Sequence, residues 1–572
     1  MSFKRIPLER LAGAVLLLVI LVLTASARSQ VPATPGEAAG YKAYSLNEDI
    51  ALFLSLADAV SPELAVRVVG RTKDVEAYAG RDIFLCILTS NGAAGPAALD
   101  RSKPTLLLTA SQHGNEQSAK EAALLLVRAL AFGDLKPLLA KMNVLVIPQS
   151  NPYGNYFNVR RNEDGLDLNR DHVKLESASV RILHRVYRDW TPEATMDVHE
   201  KGDDYYRVSI GCVSNVNIAT AIPDFSRAVI LADVAGELAR KRVAFHEYLI
   251  TEDLGVDTSS GAKGLESADR GPVEKMKRYS TTDLNDGRNG PGIYESLSFI
   301  QEGASRHDIE TLADRTGWQY AGIRAFASSV AAHADEVLRI VACARQELLE
   351  KAAARDEAGP VHMRMEYVRD PKVPELVIKR FDPEDDGVLG VLKTAKKAGD
   401  EILETDLGPA DAPEGRRVVT EVVKHWFPNV APTLSVPRPA GYLIPAAKPD
   451  VVRTLLDHGI AVGVFTMDAT IEVAAYEITD LVPAKEDYLP PETIGATRKT
   501  TTTIIRKGDL YVDCVQNAAN LIPSLLEPQS AYGLIRYFRY GLVPEKGGFF
   551  SIYRVEKKQD MPVVPYRPWL GM

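Results

Sequence analysis

A predicted strand, a tight turn and a predicted helix follow one another directly in residues 105–130, TLLLTASQHGNEQSAKEAALLLVRAL. The apolar run at 106–108 predicts a buried strand, and small and apolar residues at helical spacing after Glu116 predict an amphipathic helix. His113 and Glu116 lie at the junction, where side chains at the end of a sheet face a crevice instead of the core. An imidazole and a carboxylate placed there can bind one metal ion.

Short apolar runs and helical patterns alternate from residue 41 to about residue 345. Strands are predicted at 83–90, 105–110, 142–149 and 193–200, and helices at 116–132, 176–189 and, as one helix or two, at 312–349. Strands that alternate with helices favour a layered α/β domain with a largely parallel sheet. We therefore assign residues 41–345 to one domain.

The pattern changes beyond this domain. The charged, proline-containing stretch 346–386 is interpreted as a connector, and residues 387–572 as a smaller α/β or β-rich accessory domain without a catalytic constellation. Strands are predicted there at 441–445, 461–466, 470–478, 501–506 and 508–515. Within the first domain, residues 252–292 show little periodicity, which is typical of a lid, a binding loop or a disordered insertion.

The first residues predict export. Basic residues at 4, 5 and 10 precede an apolar run at 11–23, and Ala25-Ser26-Ala27 has the small-x-small pattern of a cleavage site. We interpret residues 1–27 as a signal peptide and 28–40 as a linker, with an uncleaved anchor as the alternative. The expected location is periplasmic or extracellular, without stable membrane association after cleavage.

Charge and cysteine spacing exclude other classes of protein. The formal net charge of −9 makes nucleic acid and anionic membranes poor partners. The cysteines lie far apart and form no CxxC metal site, and buried free thiols are favoured over disulfides. They are Cys86, Cys212, Cys343 and Cys514.

His199, at the end of the predicted strand 193–200, completes a candidate metal set with His113 and Glu116. Two histidines and a glutamate, with water in the fourth position, form the ligand set of catalytic zinc sites. The HxxE pattern alone is weak, because it recurs at 307–310 and 333–336 in predicted helices. The combination with His199 therefore carries the prediction.

The stretch 151–171, NPYGNYFNVRRNEDGLDLNRD, follows a predicted strand and concentrates cationic and amide side chains. A guanidinium beside an amide can hold a carboxylate, and another guanidinium beside a metal can stabilise an oxyanion. Arg160 and Arg161 compete for the second role, and Asp167 can accept the second N–H of a ligating histidine. The alternative is a solvated charged loop.

Glu302 ends a strand-like run in SLSFIQEGAS, residues 296–305. A carboxylate at this position can take the proton of a metal-bound water and deliver it to a leaving amine. The alternative is a glutamate that caps the following turn.

Taken together, these motifs resemble the zinc carboxypeptidases of the M14 family, the carboxypeptidase A type, in a bacterial branch with an extra C-terminal domain. They are His113-x-x-Glu116, Asn151-Pro152, Asp167-Leu168-Asn169-Arg170, Asp197-x-His199 and Ser298-Phe299-x-x-Glu302. The resemblance covers residues 41–345 and implies a three-layer α/β/α domain with a central mixed, largely parallel sheet. It also implies one Zn²⁺ per chain, held by His113, Glu116 and His199.

The same resemblance implies a role for each remaining residue. Glu302 is the general base and acid, and Asn169 and Arg170 bind the terminal carboxylate of a peptide substrate. Arg161, preferred over its neighbour, polarises the scissile carbonyl, and Asp167 is the second partner of His113. The implied activity is removal of C-terminal residues from peptides with a free terminal carboxylate.

Several positions depart from the family's pattern. The family's mobile tyrosine has no clear match, and Tyr279 and Tyr294 are the candidates. Arg288, in GRNG, either favours an acidic terminal side chain or holds its loop. A related zinc amidohydrolase or deacylase, an enzyme that trims peptidoglycan peptides, and a noncatalytic binding protein remain alternative functions.

Overall fold

A computed structural model describes residues 31–76, 78–253, 275–355, 359–382, 416–482 and 493–567. The predicted signal peptide at 1–27, the middle of the loop predicted at 252–292 and the end of the predicted connector lie outside the described residues. The predicted linker at 28–40 contains a short helix, α1 (Pro35–Ala38), whose first turn is capped by Thr34.

An eight-stranded mixed sheet forms the centre of the first part of the chain. Its strands are β1 (Leu64–Arg71), β2 (Asp82–Leu88), β3 (Thr105–Ala110), β4 (Asn143–Ile147), β5 (Ala194–Lys201), β6 (Val208–Cys212), β7 (Phe245–Glu247) and β10 (Leu297–Ala304). Their order is β1-β2-β4-β3-β5-β10-β6-β7. The central strands β4, β3, β5 and β10 run parallel, and β2 and β6 run antiparallel to their neighbours in this group. The expected mixed, largely parallel sheet is confirmed.

Helices cover both faces of this sheet. They are α2 (Asn47–Val60), α3 (Gln117–Phe132), α4 (Pro152–Phe157), α5 (Ala178–Trp190), α6 (Ala221–Phe225), α7 (Ala232–Arg240), α8 (Asn289–Gly292), α9 (Leu312–Ala332) and α10 (Ala334–Ala354). A π-helical turn, Ser226–Leu231, joins α6 to α7. Shorter 3-10 turns lie at Pro96–Ala98, Lys136–Ala140 and Leu168–Arg170.

The alternating side chains of β3 show the three layers. Leu106 and Leu108 pack in one core cluster with apolar residues of α2, α3 and α9. Leu107 packs in a second cluster with apolar residues of α5. Because successive side chains of a strand point to opposite faces, the two clusters lie on the two sides of the sheet. The continuous apolar run in β3 therefore reflects burial on both faces.

The second part of the chain is rich in strands. Its seven-stranded sheet consists of β16 (Gly441–Ile444), β17 (Gly463–Phe465), β18 (Ala469–Val482), β19 (Thr493–Ile505), β20 (Leu510–Asp513), β21 (Tyr553–Val555) and β22 (Val563–Pro565). The strand order is β19-β18-β21-β16-β20-β17-β22. The neighbouring helices are α11 (Pro449–Asp457) and α12 (Leu521–Leu526), with 3-10 turns at Leu534–Arg536 and Phe538–Tyr540. The expected β-rich C-terminal region is confirmed.

Three small sheets accompany these two, and one of them joins the two parts of the chain. The pair β8 (Leu249–Asp253) and β9 (Lys275–Tyr279) continues into β14 (Trp426–Phe427). The strands β11 (Val361–Val368) and β15 (Asn429–Val436) pair with each other, as do β12 (Leu376–Phe381) and β13 (Val418–Val423). A strand from beyond residue 415 thus extends a hairpin that begins in the first part.

The predicted connector at 346–386 differs from the structure. Helix α10 continues into it, and β11 and β12 lie within it. Val361, Met363, Met365 and Tyr367 are buried while the residues between them are not, which is the alternation of a half-buried strand. The sequence VHMRMEYV shows this alternation, but the charged and proline residues around it led to the interpretation as a connector.

The cysteines are free, as expected, with Cys343 exposed and the other three buried. Among the described residues, the helices are all too short or too polar to cross a membrane.

Candidate active site

Three neighbouring parallel strands end at one edge of the central sheet, and each brings a polar side chain to that edge. His113 follows β3, His199 lies near the end of β5, and Glu302 lies near the end of β10. Glu302 is directly opposite His199 in the register of the β5–β10 pair. Because the carboxyl ends of parallel strands form a crevice, these residues meet although they are far apart in sequence.

His113, Glu116 and His199 form a buried cluster whose potential ligand atoms all lie within 4.8 Å of one another. The Nδ1 atoms of the two imidazoles are 3.0 Å apart. Glu116, at the N-cap of α3, places Oε1 2.7 Å from Nδ1 of His113 and Oε2 2.8 Å from Nδ1 of His199. In the part of the chain that the structure describes, this is the one group of three or more His, Cys, Asp or Glu residues that could hold a metal ion.

The outer nitrogen of each imidazole faces a second carboxylate. Nε2 of His113 is 3.0 Å from Asp167 Oδ1, and Nε2 of His199 is 2.6 Å from Asp197 Oδ2. A carboxylate accepts only, so each Nε2 donates its proton, and in a neutral ring Nδ1 then carries the lone pair. Both lone pairs point into the space beside Glu116.

This donor set fits a zinc ion. Two lone pairs facing each other at 3.0 Å beside a carboxylate repel one another unless a cation lies between them. Ligands bound at ~2.0–2.1 Å in a tetrahedral site are about 3.3 Å apart, close to the spacing found here. The carboxylates behind the histidines supply the usual outer partners of metal-bound imidazoles.

The charges of the cluster favour ionised carboxylates. Burial raises the pKa of Glu116, but the neighbouring His113 and His199 lower it by more, so that it lies well below its usual range. Burial likewise raises the pKa of Asp167, and the hydrogen bond and charge of His113 bring it well below its usual range. Both carboxyls are therefore anionic beside protonated imidazoles, and a metal ion bound between the neutral rings would favour the anionic form in the same way.

Glu302 has a different environment. It is 7% exposed, and burial raises its pKa above the usual value for a glutamate. Its hydrogen-bonding partner is the hydroxyl of Tyr248, which lies between β7 and β8. A carboxyl with a raised pKa opposite His199 is suited to exchange a proton near the cluster.

Tyr248 is a site residue that the sequence reasoning missed. The sequence analysis considered Tyr279 and Tyr294 as candidates for the family's mobile tyrosine. The hydroxyl of Tyr279 accepts a hydrogen bond from the backbone N–H of Cys212 at 3.1 Å. Tyr294 places its hydroxyl 3.0 Å from His458 Nδ1. Tyr248 belongs to no motif, so only the fold brings it to Glu302.

The two neighbouring arginines point to different places. Arg160 donates from Nε to Asp167 Oδ2 at 3.0 Å, and its Nη1 is 3.6 Å from Glu116 Oε1. Arg161 donates to the carbonyl of Gly165 in its own loop, at 2.9 Å. The structure therefore brings Arg160 to the cluster, whereas the sequence reasoning preferred Arg161.

Asn169 and Arg170 lie at the rim of the same crevice. Asn169 is buried, places Nδ2 3.3 Å from Nε2 of His199, and accepts a hydrogen bond from the N–H of Gly287 at 2.7 Å. Arg170 is exposed and donates to the carbonyl of Asn169 at 2.6 Å. The guanidinium is thus accessible to a ligand entering the crevice.

A buried polar chain extends behind His199 and was not predicted in the sequence. Gln112 donates to Asp197 Oδ2 at 2.6 Å, and its Oε1 is 3.0 Å from Nε2 of His172. Nδ1 of His172 is in turn 3.1 Å from Nε2 of His184. These contacts fix the carboxylate of Asp197 and hence the ring of His199.

The other HxxE patterns do not form metal groups. His333 lies at an exposed boundary between two helices and contacts Glu336 at 2.7 Å and Asp233 at 3.1 Å. His307 lies in the loop before α9, not in a helix as the pattern predicted, and Nδ1 is 3.3 Å from Glu200 Oε2.

Comparisons with known proteins find carboxypeptidases among the proteins that are similar to this chain. A family model described as zinc carboxypeptidase, of the M14 peptidases, matches residues 63–199. Carboxypeptidase 2 of Trichophyton rubrum is 24% identical over 464 residues, covering 78% of this chain and 75% of that protein. Carboxypeptidase 2 of Trichophyton tonsurans has the same identity and coverage. A putative carboxypeptidase A from Shewanella denitrificans is 21% identical with a TM-score of 0.37, covering 50% of this chain and 69% of that one.

Proposed function

We propose that the chain is an exported, zinc-dependent carboxypeptidase of the M14 family that hydrolyses the C-terminal peptide bond of peptides. One observation carries the proposal. Two imidazole Nδ1 atoms and a carboxylate converge in a buried cluster, and Glu302 lies opposite His199 on the adjacent strand. A hydrolytic metal site needs these parts within reach of one another.

We assign one zinc ion per chain to His113, Glu116 and His199. When bound, zinc acts as a Lewis acid and lowers the pKa of a water molecule in its open position. Asp167 and Asp197 hold the two histidines in the tautomer that presents Nδ1 to the metal.

Glu302 takes the proton of the attacking water and delivers it to the leaving nitrogen. The water oxygen forms the new bond to the carbonyl carbon, the C–N bond breaks, and the released residue leaves with a free amine. The raised pKa of the buried Glu302 supports both steps, because the group can hold the proton between them.

The crevice rim recognises the substrate. Arg170, with Asn169 beside it, binds the terminal carboxylate, which limits cleavage to the last peptide bond. The oxyanion that forms at the scissile carbonyl needs a second cationic donor. The contacts of Arg160 with Glu116 and Asp167 support Arg160 for this role over Arg161.

The test uses peptides supplied in two forms, one with a free and one with an amidated C-terminus, incubated with the zinc-loaded protein and analysed by mass spectrometry. The proposal expects single residues to be released only from the free form. Equal cleavage of both forms would contradict the carboxylate clamp and favour a deacylase or a peptidase that trims cell-wall peptides. Cleavage of neither form would contradict the proposed reaction.

Export rests on residues 1–27, which lie outside the described part of the structure. The basic start, the apolar run and the Ala25-Ser26-Ala27 pattern support cleavage after Ala27. N-terminal sequencing of the protein isolated from the periplasm or medium should find Arg28 as the first residue. A protein that remains in the cytoplasm with its first residues intact would contradict this proposal.

A further inference from the structure

A cavity of about 340 Å³ lies at the end of the central sheet where β1 is the edge strand. Its walls come from the end of β1, from α5 and from the end of α11 in the second part of the chain. This volume is within the range of pockets that bind small molecules. In the sheet, β1 is three strands away from β3, about 14 Å at the usual strand spacing. The cavity is therefore separate from the candidate active site.

Four arginines and a single aspartate line this cavity. The arginines are Arg71 of β1 and Arg181, Arg185 and Arg188 of α5, and the aspartate is Asp457 of α11. The remaining lining residues are a glycine, an alanine and an isoleucine, so the polar lining is almost entirely cationic. The whole chain has a formal net charge of −9, and the cavity reverses that sign locally. A lining of this kind attracts an anion.

Two of the arginines are held in place by neutral groups. Arg181 donates from Nη1 to the carbonyls of Leu175 and Glu176, at 2.9 and 2.6 Å. Arg185 donates from Nη2 to the carbonyl of Val69. A carbonyl accepts a hydrogen bond without cancelling the charge of its donor. These contacts therefore orient the two guanidiniums and leave their charges for another partner.

Close packing further restricts the arginine side chains. A Cβ atom on Gly70 of β1 would clash with the side chain of Ile182 and lie 3.4 Å from Nη2 of Arg185. A Cβ atom on Gly459, just after α11, would lie 2.6 Å from Cδ of Arg188. The two glycines thus let β1 and the second part of the chain approach α5 closely. The cationic groups are consequently set in place by the fold before any ligand binds.

Gathering these cations in one place is unfavourable unless an anion joins them. Arg185 lies four residues after Arg181 and three before Arg188, and like charges at these spacings repel one another on one face of a helix. Asp457 offsets this repulsion only in part. Burial raises the pKa of Asp457 by more than the charges of Arg181, Arg453 and Arg188 lower it. The arginines therefore stabilise this carboxylate less than its burial destabilises it.

We propose that this cavity binds a phosphate-bearing anion. A phosphate group presents several acceptor oxygens, and guanidiniums bind such oxygens through paired N–H donors. Arginines from β1 and from α5 can share one phosphate, whereas a lone carboxylate occupies a single guanidinium edge. Asp457 repels the anion and lowers its affinity. Because the ligand joins three elements, its binding also stabilises the folded protein.

The first test titrates the zinc-loaded protein with inorganic phosphate by isothermal titration calorimetry at low ionic strength. We expect saturable binding in the cavity with a Kd of about 1 mM or lower. Arg185→Gln and Arg188→Gln each remove one cationic donor and should raise the Kd about 10-fold, as for loss of a hydrogen bond to a charged group. The matched control is Arg67→Gln, which removes an exposed charge from β1 outside the cavity and should leave the Kd unchanged.

Asp457→Asn provides a test of opposite sign. It removes the negative charge from the cavity, so phosphate should bind more tightly than to the parent protein. Arg188→Gln and Asp457→Asn decide the matter even if Arg185→Gln fails to fold, because the polar contact of Arg188 is with the exposed Asp189. The absence of saturable binding, or one Kd for the parent protein and all cavity variants, would overturn the proposal. A Kd that changes only with Arg160→Ala would assign the phosphate to the candidate active site and would also overturn it.

A second experiment identifies the source of the phosphate, which can be a soluble compound or a lipid headgroup. The protein is sedimented with vesicles of phosphatidylcholine that contain phosphatidic acid, and with vesicles of phosphatidylcholine alone. Sedimentation with the first vesicles that is lost in Arg188→Gln would identify a headgroup. Phosphate binding in the calorimeter without sedimentation would identify a soluble ligand. Failure to bind in both experiments would refute the site.

Discussion

At the scale of single residues, the orientation of two imidazole rings decides what the cluster can do. Asp167 and Asp197 each hold the outer nitrogen of a histidine, so the inner nitrogens remain free to accept a cation. Asp197 is in turn fixed by Gln112 and by the hydroxyl of Thr109, 3.1 Å from Oδ1. Asp167 and Asp197 thus act only by positioning the two histidines proposed as metal ligands. Glu302 is the carboxyl proposed to contact the reacting atoms.

Glu302→Gln tests the proton transfer assigned to that residue. The amide keeps the size of the side chain but cannot take the proton of the attacking water, so kcat should fall by about 10²- to 10⁴-fold. Zinc content, measured by atomic absorption after dialysis, should equal that of the parent protein, because Glu302 is not a proposed ligand. Glu310→Gln, at an exposed position, is the control. A Glu302→Gln enzyme with near parental turnover would exclude the proposed role.

Arg160→Ala and Arg161→Ala form a matched pair that identifies the oxyanion donor. Arg160 contacts Asp167 and Glu116, whereas Arg161 contacts the carbonyl of Gly165. We expect kcat/KM to fall about 10²- to 10³-fold for Arg160→Ala, as for loss of an oxyanion donor, and little for Arg161→Ala. Steady-state kinetics on one peptide decide between them, and the reverse result would restore the assignment made from the sequence. Adjacent residues of the same type cannot be distinguished by pattern, because their directions depend on the turn.

At the scale of secondary structure, the periodicity of apolar residues predicted the positions of single strands and helices, because these depend on residues close in sequence. The strand at 105–110 is found with those bounds, and the helix predicted at 116–132 begins one residue later. Strand β11 was missed although apolar and polar residues alternate in it, because the charged and proline-containing residues around it were interpreted as a connector. The register that places Glu302 opposite His199 was not predictable from either segment, since it depends on pairing between strands about a hundred residues apart.

Gly114→Ala tests how the turn between β3 and α3 is held. A Cβ atom at residue 114 would fall on the backbone of Gly154, at the start of α4, so the two turns can approach this closely only with glycine. We expect a loss of about 1–3 kcal/mol in the free energy of unfolding, as for an overpacked core, together with weaker zinc binding. Denaturant unfolding and zinc titration measure the two effects. Gly95→Ala, where a Cβ atom meets no heavy atom within 4 Å, is the control. Equal stability of both variants would show that the turns can separate freely.

At the scale of the whole molecule, the C-terminal part holds the loop that carries Arg288. Tyr367 accepts a hydrogen bond from the N–H of Thr282 at 3.1 Å, and Tyr532 donates to the side chain of Thr282 at 3.0 Å. The hydroxyl of Tyr537 accepts from Asn285 at 2.8 Å. The region predicted as a separate accessory domain therefore holds the loop whose Gly287 N–H donates to Asn169. No sequence motif predicts these hydrogen bonds, because they join polar residues that are far apart in sequence.

Glu295 makes the contact between the two parts sensitive to pH. Its carboxyl is buried, accepts from the N–H of Ala219 at 2.9 Å, and is 3.3 Å from Nδ2 of Asn520, which also donates to Asn217. Burial raises its pKa from 4.5 to about 8, against the opposing hydrogen bond from Ala219 and the charges of three basic residues. The folded state therefore binds a proton that the unfolded state releases above about pH 4.5.

The sign of this linkage gives a direct test. Stability from Glu295 is fully present below about pH 4.5 and is lost as the pH rises to about 8, at about 1.4 kcal/mol for each unit of pKa difference. Glu295→Gln keeps an acceptor and cannot ionise, so it should unfold at higher denaturant concentration than the parent protein at pH 8 and at a similar concentration at pH 4.5. Glu310→Gln should shift neither curve. A Glu295→Gln protein that is less stable at pH 8 would mean that the carboxylate is ionised and stabilising in the fold, and that the two parts are held by its charge instead of its proton.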